Sequence, residues 1–118
     1  MGVFGRKHEE SSDLTDLNTE RLRDKFEVLD VVRMNLVIDR TPVRVAGEVK
    51  RTVVAPRSGI PTLEVVISDG HGEVTAVFSG RRSIPGVING RCLALEGVAR
   101  PDKGRHIMMN PVYTILPS

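Results

Sequence analysis

The chain reads as an all-β protein, a small closed barrel of five strands preceded by a short helical, partly disordered extension. Three observations carry this. Apolar residues recur with period two in several short runs after Pro42, as in half-buried strands. Those runs are separated by Gly- and Pro-rich turns and carry glycines in mid-strand, as a tightly curved sheet requires. Charge also divides at the same place: residues 1–42 hold 7 Lys+Arg against 9 Asp+Glu, and residues 43–118 hold 10 against 6. The boundary is therefore set at Thr41-Pro42, giving an extension over 1–42 and a barrel over 43–118.

Along the extension, residues 1–10 are polar and without periodicity. From Asp16 to Asp30 a helix is expected, with Leu22, Phe26 and Leu29 on one face and Asp16 or Asn18 as its cap. Glu20, Arg21, Arg23, Asp24 and Lys25 would then face water. Between 33 and 39, Met34, Leu36 and Ile38 alternate with polar residues, consistent with an extra strand or an extended lead-in.

The first barrel strand follows, with Val43, Val45, Gly47 and Val49 on one face. Gly47 is the expected site of a bulge or bend. Ala55 to Pro61 is a loop. Thr62 to Ser68 is the second strand, with Leu63, Val65 and Ile67 inward, which leaves Val66 outward. Asp69-Gly70-His71-Gly72 is a turn. Glu73 to Ser79 is the third strand, with Val74, Ala76 and Phe78 inward and Val77 outward. Pro85, Gly86 and Gly90 argue against a long helix over 80–90. Arg91 to Arg100 is the fourth strand, bent at Gly97. After the turn Pro101-Asp102-Lys103-Gly104, a fifth strand runs from Arg105 to Leu116, interrupted at Asn110-Pro111. Five strands in about 75 residues fit a barrel better than a sandwich, which needs about seven.

The residues Val45-Ala46-Gly47-Glu48-Val49, Ser68-Asp69-Gly70, Val74 to Phe78, and Gly90-Arg91 leading to Leu95-Glu96-Gly97 together resemble an OB-fold nucleic-acid-binding domain. The group includes the wedge domain of the helicase RecG and the anticodon-binding domains of some tRNA synthetases. Phe78-Ser79-Gly80-Arg81-Arg82-Ser83-Ile84-Pro85-Gly86, with Met109-Asn110-Pro111 and Tyr113, is similar to small stand-alone OB-fold proteins of actinobacteria. The resemblance covers 43–116 and implies a five-stranded OB-fold Greek-key barrel. Phe78 stands where a Trp is common in that group.

In an OB-fold the ligand face is formed by strands 2 and 3 with the loops between strands 1–2 and 4–5. On that frame Arg51, Arg57, Arg81, Arg82, Lys103 and Arg105 would gather on one side as a groove for single-stranded DNA or RNA. The plainer explanation is ordinary solvated charge. Phe78 and Tyr113, the two aromatics of the barrel, fit packing better than base stacking, so binding would depend on the phosphate backbone, with Val66 and Val77 as exposed apolar contacts. A protein–protein adaptor, docking through the Leu22–Phe26–Leu29 stripe or an open barrel edge, is the rival reading.

No chemistry beyond binding is expected. His8, His71 and His106 are scattered and without Cys partners, so no metal site is expected, and Asp69 suits a turn. The single Cys excludes an internal disulfide framework, and Cys92 fits a small buried residue. Glu48, Glu64, Glu73 and Glu96 read as outward, solvated strand positions. No nucleophile elbow or Gly-Lys-Ser/Thr loop occurs, which argues against an enzyme and against a cofactor. No apolar run approaches the ~20 residues of a membrane span, and the charged start lacks a signal core, which points to the cytoplasm.

Overall fold

The computed structural model describes residues 17–26 and 29–117. Residues 17–26 form a helix, α1. A 3-10 turn at Met34–Leu36 follows, then six strands: β1 (Pro42–Val54), β2 (Thr62–Ser68), β3 (Glu73–Ser79), β4 (Cys92–Asp102), β5 (Arg105–Met109) and β6 (Val112–Ile115). Five of them close a ring in the order β1-β2-β3-β5-β4, with β4 returning to β1. All the pairings in the ring are antiparallel except the parallel pair β3–β5.

The long strand β1 serves two neighbours. Pro42 to Glu48 pair with β4, and Glu48 to Val54 pair with β2. A register shift between Val49 and Arg51 accompanies this change of partner. The expected bulge at Gly47 therefore lies farther along the strand. Gly47 answers a different need: a Cβ there would sit 2.7 Å from Met34 Cε and 2.8 Å from the Ser68 carbonyl oxygen. Glycine lets the 3-10 turn close over β1 and β2.

The expected fifth strand is two strands. Both β5 and β6 run antiparallel to β4, and the break between them falls opposite Gly97 and Val98. Asn110 makes the break with a left-handed backbone, φ 47°. Its amide donates to Val77 O and its side-chain Oδ1 accepts from Ser79 N, so the bend is anchored to the end of β3.

Inside the ring, Leu63, Val65, Ile67, Val74, Ala76, Phe78, Leu93 and Leu95 form the core, as their alternation predicts. Met34 and Val37 join it from before Pro42. Residues 33–39 thus supply a turn in place of an extra strand. Their inward residues are three apart, while Leu36 and Ile38 are exposed.

Two outward valines depart from expectation. Val66 and Val77 are buried, at 4% and 0% exposure. The reason lies in the side chains above them. Arg105 on β5 reaches Glu64 on β2, a contact that must span β3, which lies between those strands. At about 4.8 Å between strands, that bridge crosses roughly 10 Å of sheet surface. Its stems shield the outer face from water.

The helix packs on the opposite side of the ring. Leu22 and Phe26 are buried against Ala46, Cys92 and Ala94, whose small side chains let the helix approach β1 and β4. Arg21 pairs with Glu48 at 3.0 Å, and Arg23 Nε donates to Gly70 O at 2.9 Å. Glu20, Arg21, Arg23, Asp24 and Lys25 face water as the periodicity requires. Leu29 does not complete the stripe: it lies in a bend beyond the helix and is 36% exposed. Asn18 sits within the helix, and Asp16 lies outside the described residues, as do residues 1–10. No helix among the described residues is long and apolar enough to cross a membrane.

Candidate nucleic-acid interface

The β1–β2 loop ends in a tight turn at Ser58-Gly59, both with positive φ (51° and 77°), closed by the Arg57–Ile60 bridge. The β4–β5 turn, Lys103-Gly104, is built alike, with φ of 52° and 81°. Two left-handed residues in succession match the right-handed twist of the flanking strands. Arg57 and Arg105 consequently stand at the bases of two facing hairpins.

They do not stand there as free cations. Arg105 Nη1 donates to Glu64 Oε1 at 2.9 Å and its Nη2 to Asp102 Oδ2 at 3.0 Å. Arg57 Nη2 reaches Glu64 Oε2 and Asp102 Oδ2, each at 3.3 Å. The four residues form a closed cycle of alternating charge that clasps the two loops together. Hydrogen bonding from Arg105 is the main reason the Glu64 carboxyl is held below its ordinary range. The same donor depresses Asp102, and Glu64 in turn raises Arg105. Two basic and two acidic side chains pair within the clasp. Two of the six residues expected to form a cationic groove are thus neutralised within the fold. Glu64 is a bridging acceptor and not merely a solvated carboxylate. Glu48 likewise accepts from Arg21 at 3.0 Å and forms an ion pair with Lys50 at 3.7 Å.

The other four are exposed and make no ion pair among the described residues. Arg51 projects from β1 opposite Val66. Arg81 and Arg82 follow Gly80, whose amide donates to Pro61 O at 2.7 Å, so they leave β3 beside the base of the β1–β2 loop. Buried Ile84 and Val87 pin the segment beyond them. Lys103 caps the β4–β5 turn. Of the six, Arg57 and Arg105 are the pair joined through shared carboxylates.

Two further cations belong to the surface but carry no periodic signal in the sequence. Arg40 and Arg100 line one open groove with Val98, Pro101 and Met109. They are far apart along the chain and meet because Arg40 N donates to Ala99 O at 2.7 Å. No local pattern exposes such a contact.

No family model matches this chain, and no curated protein matches it in sequence. Phe78 is 5% exposed and meets Tyr113 edge-to-face, with ring centroids 5.6 Å apart, so both rings serve packing. Asp69 accepts from His71 N and Gly72 N through Oδ1 and from Met34 N through Oδ2. It organises the β2–β3 turn and holds the 3-10 turn against it. Cys92 is buried under the helix. Among the described residues no three His, Cys, Asp or Glu side chains stand close enough to hold a metal ion.

Proposed function

We propose that this chain is an OB-fold barrel that binds single-stranded DNA or RNA without catalysing a reaction. The five-strand ring with its parallel β3–β5 closure supports the fold reading. The observation that carries the binding reading is the set of exposed cations without carboxylate partners, Arg51, Arg81, Arg82 and Lys103, around a ring whose aromatics are committed to packing. Cations of this kind meet phosphates, so affinity falls steeply with salt and sequence preference is weak. The adaptor reading is weakened because its docking stripe is largely spent: Leu22 and Phe26 are buried within the fold.

The deciding experiment is a titration of labelled single strands of DNA and RNA at two salt concentrations. Arg81→Ala combined with Arg82→Ala is expected to weaken binding alike for all sequences. The plot of log K against log salt flattens by roughly 0.7 for each phosphate that is no longer neutralised. Stability hardly changes, because exposed charges contribute little. Absence of wild-type binding to either polymer at low salt removes the nucleic-acid reading and promotes the adaptor.

A further inference from the structure

We infer that the groove between Arg40 and Arg100 is a phosphate-binding centre for a single nucleic-acid strand, an assignment that rests on the reading proposed above. The usual OB ligand face carries a neutral clasp in this protein, since Glu64 and Asp102 already occupy Arg57 and Arg105. A polyanion meeting that clasp finds no net charge in it. The Arg40–Arg100 groove is different in kind.

Its carboxylate neighbours are all engaged elsewhere. Asp39, adjacent to Arg40, meets His106 Nδ1 at 2.7 Å. Asp102 belongs to the clasp, and Glu96 pairs with Arg44 at 3.4 Å. Neither Arg40 nor Arg100 has a carboxylate partner among the described residues. Both arginines are therefore left without a direct ion pair among the described residues.

The backbone fixes where those charges stand. Arg40 has φ 65°, a conformation that L-residues with a side chain rarely adopt. It is held there by the hydrogen bond its amide donates to Ala99 O, one residue from Arg100. Arg100 is set by the register of β4, opposite Ile107. The other side chains that line the groove are apolar: Val98 is 48% exposed, with Pro101 and half-buried Met109 also in the lining. Two arginines on one groove supply guanidinium donors of the kind that match the oxygens of a phosphodiester. An aliphatic and thioether floor accepts the face of any base or the edge of a sugar, without selecting one. Together these suit one nucleotide unit of a flexible single strand.

The test uses the full chain with Arg40→Gly and Arg100→Gln, singly and together. Glycine adopts φ 65° freely, so Arg40→Gly removes the charge and keeps the backbone. The probes are fluorescent oligothymidine and oligouridine of about 15 nucleotides, a length within OB-type site sizes. Each substitution is expected to weaken binding roughly tenfold, as removal of a charged hydrogen-bonding partner does. The double variant should flatten the salt dependence by about 0.7, the value for the one phosphate that the pair holds. Wild-type binding that the double variant retains unchanged overturns this assignment and leaves the proposed function standing. Wild-type failure to bind either probe at low salt overturns both. Equal affinity for a polyglutamate peptide at the same ionic strength also overturns it, since the groove would then be a general anion surface. Should the double variant fail to fold, amide chemical shifts of the wild type titrated with oligothymidine decide. Changes at Arg40, Val98, Arg100 and Met109 uphold the assignment, and changes confined to residues 81–86 refute it.

Discussion

Glu64 is the point at which the loop clasp is most sensitive, because both arginines converge on it and it is less exposed than Asp102, 12% against 26%. Replacing it with Gln keeps the shape and removes the charge. The cost follows from the exposures. An exposed ion pair contributes about 0.2–1 kcal/mol, whereas removing one partner of a fully buried pair costs about 3–5 kcal/mol. The Glu64 side chain is 12% exposed, but Arg57 and Arg105 are 34% and 38% exposed, so water screens much of the attraction. Two weakened pairs of this partly exposed kind put the loss at about 1–2 kcal/mol, which for a domain of this size lowers Tm by roughly 5–10 °C. The pH dependence has a definite sign. Glu64 and Asp102 have carboxyl groups depressed in the folded state, so they stabilise it fully above their unfolded values near ~4 and lose that effect as pH falls through the depressed folded values. The difference in Tm between wild type and Glu64→Gln should be constant from neutral pH down to about 5 and shrink in stronger acid. The same substitution leaves one positive charge uncompensated on the outer face. Binding of single strands should then tighten at low salt, with a salt dependence steeper by about 0.7 if one more phosphate is neutralised. Thermal melts by circular dichroism and a titration with labelled single strands read both effects. A variant as stable as the wild type at pH 7 refutes the clasp as a structural tie.

Two other substitutions probe the packing. Phe26→Ala removes the larger anchor of α1 from its seat on Ala46, Cys92 and Ala94; a loss of about 3 kcal/mol is expected, with faster amide exchange confined to residues 17–26. Gly47→Ala should destabilise by about 1–3 kcal/mol, measured by chemical denaturation. Adding Met34→Ala should not rescue it, because the Ser68 carbonyl oxygen would still lie 2.8 Å from the new Cβ.

Much of the ring is legible in the sequence, and the reasons are local. In β2 and β3 every second residue is apolar and each end is closed by Gly, Pro or Asp, so pattern and turn chemistry agree on the same ends. What escapes the sequence depends on contacts between distant segments. The period-two run at Met34, Leu36 and Ile38 becomes a 3-10 turn because Asp69 accepts the Met34 amide and the core takes Met34 and Val37. Val66 and Val77 alternate outward as expected, yet they are covered by a bridge whose two halves belong to β2 and β5. The candidate site divides similarly. That Arg81 and Arg82 lie exposed beyond Gly80 follows from the turn residues around them. That the two are joined in one neutral clasp does not, because its Arg57–Asp102 and Arg105–Glu64 contacts link residues 45 and 41 apart in the chain.

Closure through β3 and β5 removes the margins those two strands would otherwise offer to other copies, although β6 stays outside the ring, paired to β4 alone. That closure rests on a short parallel seam, Thr75 with Ile107, Ala76 with Met108 and Val77 with Met109. The other joints of the ring are antiparallel and longer, and parallel pairing is slightly weaker for each residue. If the ring opens anywhere short of global unfolding, it opens here. Opening would bare two apolar margins at once, Thr75-Ala76-Val77 and Ile107-Met108-Met109, each a ready template for strand addition. The Arg105–Glu64 bridge spans this seam from β5 to β2, and Asn110 fastens its far end to Ser79 and Val77. These polar ties keep both strand margins covered, a role out of proportion to the few kilocalories they add to stability.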